Sequence, residues 1–124
     1  MTCKDLFGYQ LVSICNTHIV IQNNTGRYVL AIEEDNGGCC GYNEVVTNLL
    51  ISETELQNNP IITKVEVERD SEGDREIAKI TFFGVYKPLA TVGTVSSSGS
   101  GWCYGACVSI KCKALDINEI VSCW

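Results

Sequence analysis

The sequence predicts an all-β or β-dominated domain, an antiparallel meander curled into a sandwich or half-open barrel with one or two short helices. Three observations point there. Ile77 to Cys112 concentrates β-branched and aromatic residues in the runs Ile77–Lys87, Leu89–Ser97 and Trp102–Cys112, parted by a Lys-Pro corner and a Ser/Gly loop. HIVIQ and RYVLAIEE flank Asn23-Asn24-Thr25-Gly26, a polar, glycine-ended loop of hairpin length. A hydrophobic fraction of 45% against 19% charged residues is ordinary for a chain that folds. At 124 residues, one domain spanning 1–124 is expected.

Taken in order, Tyr9–Asn16 and His18–Gln22 form one β-prone stretch with a bend at Asn16-Thr17. In the arm after the hairpin, Tyr28, Leu30 and Ile32 share a face, as do Arg27, Val29, Ala31 and Glu33, so one set belongs to the core. Asp35–Tyr42 packs three glycines and the pair Cys39-Cys40 into eight residues and reads as a loop. Glu44–Ile51 resumes as apolar structure. Ser52 is an N-cap for a turn or two of helix, with Glu55 completing a capping box and Asn58-Asn59-Pro60 ending it. Ile61–Glu68 alternates, with Ile61, Thr63, Val65 and Val67 expected inside. The charged Asp70–Arg75 makes a hairpin loop between this strand and the one from Ile77. Ser96–Gly101 has the composition of a flexible loop. The tail, Ala114–Trp124, is either a helical turn capped by Asp116 or one more edge strand.

Charge and cysteines narrow the function. Nine Lys plus Arg against fifteen Asp plus Glu give a formal charge of −6, which disfavours nonspecific nucleic-acid binding and anionic membrane surfaces. The start has neither a cationic segment before a signal-length apolar run nor any stretch near the roughly 18 apolar residues of a membrane span, so a cytoplasmic location is expected. The eight cysteines, Cys3, Cys15, Cys39, Cys40, Cys103, Cys107, Cys112 and Cys123, are read as mostly free thiols. They fall below the roughly 8–10% of a disulfide-stapled chain, and the apolar content can supply a core without staples.

Motifs for chemistry are thin. Cys103 and Cys107 are weak metal candidates, because residues four apart on a strand lie about 13 Å apart, whereas two thiolates on one zinc each sit at about 2.3 Å. His18, the only histidine, falls beside Ile19 and Val20 and reads as a surface or edge-strand residue. The Asp70, Glu72, Asp74, Glu76 alternation lacks calcium-loop spacing, and Gly99-x-Gly101 precedes no helix. No cofactor is called for. The meander's aromatic residues, Phe82, Phe83, Tyr86, Trp102 and Tyr104, are split between faces by alternation, so some are free for stacking. The surface expected to bind joins Asp35–Tyr42 to Ser96–Tyr104, with Tyr42, Trp102 and Tyr104 as rings and Lys87 as the cation. Arg27, Arg69, Arg75 and Lys79 are further cations for a phosphate.

The layout resembles a family of small uncharacterised proteins encoded by phages and prophages. The residues that carry the resemblance are Leu6-Phe7-Gly8, Cys39-Cys40, Asn59-Pro60-Ile61, Thr81-Phe82-Phe83 with Tyr86-Lys87, Leu89-Ala90-Thr91-Val92 and Gly101-Trp102-Cys103-Tyr104. Gly41 departs from the pattern, which has an acidic residue after the cysteine pair. The resemblance implies a viral accessory protein in the host cytoplasm that sequesters or blocks a host component without catalysis, including in counter-defence. The expected partner is a host protein or a small anionic, nucleotide-like signal, with a homo-oligomer allowed. The alternatives are a small hydrolase using a loop cysteine or carboxylate, and a structural virion component.

Overall fold

The computed structural model describes residues 1–35, 42–73, 75–97 and 106–124. Among them the expected β-dominated class is found, as two antiparallel sheets packed face to face. The five-stranded sheet runs β1 (Gln10–Ile14), β2 (His18–Asn23), β3 (Gly26–Asp35), β8 (Cys107–Cys112) and β9 (Ile117–Cys123). The four-stranded sheet runs β4 (Tyr42–Leu49), β7 (Pro88–Ser97), β6 (Arg75–Phe83) and β5 (Lys64–Glu72). One short helix, α1 (Glu53–Gln57), follows β4.

Local chemistry accounts for most of these elements. The β2–β3 hairpin closes with Asn23 opposite Gly26, and Asn23 Oδ1 accepts from the Thr25 and Gly26 N–H groups at 2.9 and 3.2 Å. On β3, Leu30 and Ile32 are buried and Tyr28 is half-buried, so that face is the inner one. Ser52 Oγ caps α1 by accepting from Glu55 N at 3.2 Å. β5 and β6 pair as the expected hairpin, although the ladder runs to Glu72 and Arg75, leaving a shorter turn than Asp70–Arg75.

The inner faces meet in one core. Leu11, Ile19, Ile21, Leu30, Val108 and Ile110 face Ile80, Phe82, Ala90 and Val92, all of them sealed from water. Burying side chains of this size contributes about 1.5–3 kcal/mol each.

Two expectations are corrected, one open alternative is decided, and one cysteine pair departs from an otherwise free set among the described residues. The run ending at Cys112 does not extend the meander: β7 pairs with β6 and β4, whereas β8 pairs with β3 and β9 in the opposite sheet. Ile61 is 46% exposed and Ile62 is buried, because the chain at 61–63 is pinned to neighbours before the ladder starts, by Ile62 N to Tyr9 O and Thr63 N to Phe83 O, both 2.8 Å. The tail takes the edge-strand form, and Asp116 is the left-handed residue (φ 54°) after a 3₁₀ turn at Lys113–Leu115, not a helix N-cap. Finally, Cys107 is disulfide-bonded to Cys123, its register partner on β9, whereas Cys3, Cys15 and Cys112 are free. Cys39, Cys40 and Cys103 lie outside the described residues.

Candidate functional site

A groove of about 400 Å³ opens at the end of the sandwich where β6 turns into β7. One wall is the exit from α1. The Asn58 N–H closes the helix on the Glu55 and Leu56 carbonyls, and Asn59 then takes a left-handed conformation (φ 52°) that turns the chain into Pro60. Pro60 O accepts from Leu11 N at 2.9 Å, and Ile61 bridges to Gln10, so this wall is fixed to β1.

The other wall is the turn after Phe83. Gly84 N donates to Lys87 O at 2.8 Å, and a Cβ at Gly84 would lie 2.8 Å from Leu89 Cδ2, so glycine allows the turn to close over a buried leucine. The side chains at the tip are thereby sent outward. Val85 is 66% exposed and Tyr86 is 96% exposed, an extreme value for a tyrosine. Lys87 Nζ meets Glu55 Oε2 at 2.7 Å, tying the two walls together. This hydrogen bond holds the Glu55 carboxyl below the usual range, and the pair is open to solvent. The groove therefore combines an apolar floor, the amides of Asn58 and Asn59, a neutralised ion pair and an unsupported aromatic ring.

Lys87 thus belongs to a cleft, but not with the residues expected beside it. Tyr42 stands opposite Ser97 at the far end of β7, about 30 Å from Lys87 at strand rise per residue. Its hydroxyl donates to Glu44 Oε2 at 2.9 Å, and that bond raises its pKa. Trp102 and Tyr104 lie outside the described residues. The strand ends flanking their segment and 36–41 are neighbours, since Asp35 pairs with Cys107 and Tyr42 with Ser97. Asn43 Nδ2 joins them by donating to Asp35 O at 2.8 Å. Of the weak metal candidates, Cys103 lies outside the described residues and Cys107 is committed to its disulfide, so it offers no thiolate. Among the described residues, no three His, Cys, Asp or Glu side chains converge on a metal-sized site.

Tyr86 is the residue that sequence reasoning undervalued as a site. The run to Lys87 reads as strand throughout, whereas β6 ends at Phe83. The available signal was Gly84 four residues before Pro88, a spacing that suits a turn whose central side chains project. No known family model, characterised protein or solved structure matches the chain. Among the described residues, no helix is long and apolar enough to cross a membrane.

Proposed function

We propose that this protein is a non-enzymatic binding module that holds a host protein against the 58–61 and 84–87 groove. The observation that carries the reading is Tyr86, a large ring 96% exposed at the rim of an apolar cleft and flanked by exposed Val85 and Ile61. Folding gains almost nothing from a ring so placed, whereas an interface gains a rigid anchor. The Lys87–Glu55 pair bears on the choice of partner. A small anion would have to displace Glu55 from the groove's cation, whereas a protein segment can leave the pair in place at the rim. The resemblance to phage and prophage proteins supports a role as a viral accessory factor that blocks its partner in the host cytoplasm, as in counter-defence.

The test is native mass spectrometry of protein purified from host cells, comparing the wild type with Tyr86→Ala. A folded variant is expected, with an unchanged melting temperature, because the side chain makes so little contact. A retained host protein should be lost, its affinity weakened by about 2 kcal/mol or more. Undiminished retention by Tyr86→Ala would remove the groove from the reading, and retention of an anionic small molecule by both forms would favour the smaller ligand.

A further inference from the structure

We propose that Cys15 is a thiol–disulfide exchange site, presented with Thr17 and His18 on the bend between β1 and β2 for attack on low-molecular-weight disulfides. The bend folds a Cys-x-x-His sequence back on itself. Cys15 N donates to His18 O at 2.9 Å, which brings residues i and i+3 side by side. Cys15 Sγ then lies 3.2 Å from Thr17 Oγ1, 3.5 Å from His18 Nδ1 and 3.7 Å from His18 Nε2. Thr17 Oγ1 is in turn 3.0 Å from His18 Nδ1, so the sulfur, hydroxyl and imidazole form a closed triangle.

The triangle is held from outside. Asn16 Oδ1 accepts from both the N–H and the hydroxyl of Thr47 on β4, at 3.0 and 2.6 Å, and Ile32 N donates to Thr17 O at 2.8 Å. A bend anchored to both sheets keeps the donors in place around the sulfur instead of leaving them to wander. The Thr17 hydroxyl, followed by the Thr17 and His18 N–H groups, favours the thiolate and lowers the Cys15 pKa. The other described thiols are unsuited. Cys3 and Cys112 are buried, and Cys107 and Cys123 are already joined. Cys15 is partly exposed and its neighbours 16–18 are exposed, so a small disulfide can reach the sulfur.

The step balances without further reagents. The Cys15 proton passes to the His18 ring or to water, and Sγ bonds to one sulfur of the incoming disulfide. That S–S bond breaks, and the departing thiolate takes up a proton. Cys15 is oxidised to the mixed disulfide as the other half of the reagent is reduced to a thiol. The site is independent of the groove, since Gln10 begins β1 and Cys15 follows its last residue, about 16 Å away at strand rise per residue.

The probe is oxidised glutathione, with the adduct at residue 15 followed by peptide mass mapping, so that reaction at other cysteines is counted separately. The reference is the same residue in the urea-unfolded chain. Each pH unit of thiol acidification raises the thiolate fraction tenfold but reduces its nucleophilicity, for a net gain of about threefold. Cys15 in the folded protein should therefore react faster than in the unfolded chain. Thr17→Val and His18→Gln, both at exposed positions, should return the rate toward the unfolded value while circular dichroism is unchanged. Equal rates in folded and unfolded chains, or folded variants that react as fast as the wild type, would overturn the assignment.

Discussion

Cys3 shows how a residue that does no visible chemistry can still set a pH limit. It is sealed from water, and its backbone N–H donates to Glu119 Oε1 at 2.9 Å. Burial first, and then the negative charge of Glu119 and its bond to the thiol, pushes the Cys3 pKa far above the usual range. In the unfolded chain the same thiol ionises near pH 8.5. The folded state keeps a proton that the unfolded state releases, so the stabilising effect is complete below about pH 8.5 and is lost as the pH rises, by up to about 1.4 kcal/mol per unit for this one group. Urea midpoints measured from pH 7 to 10.5 should fall more steeply for the wild type than for Cys3→Ala. The variant begins lower because it leaves a small void. Parallel slopes would show that Cys3 titrates alike in both states.

At the level of elements, β9 is an edge strand of one sheet fastened to the other. Arg69 on β5 donates from Nε to Val121 O at 3.0 Å and from a terminal nitrogen to Ile120 O at 2.9 Å, and Glu76 on β6 accepts from Cys123 N at 3.2 Å. The Cys107–Cys123 bond adds a covalent closure across a sequence separation of 16 residues. Closing a loop of that length is worth about 3 kcal/mol in the chain-entropy account. Reductant should therefore lower the urea midpoint of the wild type and leave Cys123→Ser unmoved; equal responses would exclude this bond as the source.

The strands themselves were legible because their signals are local: alternation in Arg27–Glu34, the polar Asn23–Gly26 loop and the Ser52 cap act over a few residues. What joins β8 to β3 was not legible, because it depends on contacts between segments far apart in the chain. The misplaced face at Ile61 has the same origin, since alternation holds only within a ladder and residues 61–63 stand before one. The site was half legible. Lys87 stands out as a cation in an apolar run, whereas the partner that neutralises it, Glu55, comes from a helix cap 32 positions earlier. Cys15 and His18 were each visible, and so was the bend between them, but only the turn geometry makes them neighbours.

For the whole molecule, the question is what fixes one sheet against the other, since an apolar core alone tolerates sliding. A buried chain of hydroxyls crosses the interface. Thr94 Oγ1 on β7 donates to Ser122 Oγ on β9 at 2.8 Å, and Ser96 Oγ on β7 donates to Asn43 Oδ1 on β4 at 2.7 Å. Ser96 Oγ and Ser122 Oγ are 2.7 Å apart. A hydroxyl has a single proton, and Ser96 has given its own to Asn43, so Ser122 must be the donor to Ser96. The direction is therefore set throughout: Thr94 to Ser122 to Ser96 to Asn43, and from the Asn43 amide to Asp35 O on β3. The path passes from the four-stranded sheet to the five-stranded one, back again, and once more across. The links among Thr94, Ser122 and Ser96 satisfy hydroxyls that would otherwise be buried unpaired, and aligned hydroxyls polarise one another. Ser122→Ala should leave the Thr94 proton without an acceptor and cost about 1–3 kcal/mol. Thr94→Val alone removes one donor and leaves Ser122 still bonded to Ser96, so it should cost less. In the double variant the orphaned proton is gone, and the two losses should sum to more than the double variant shows, by about 0.5 kcal/mol or more. Additive losses in urea denaturation would mean that the hydroxyls act singly and that apolar packing alone sets the register of the sheets.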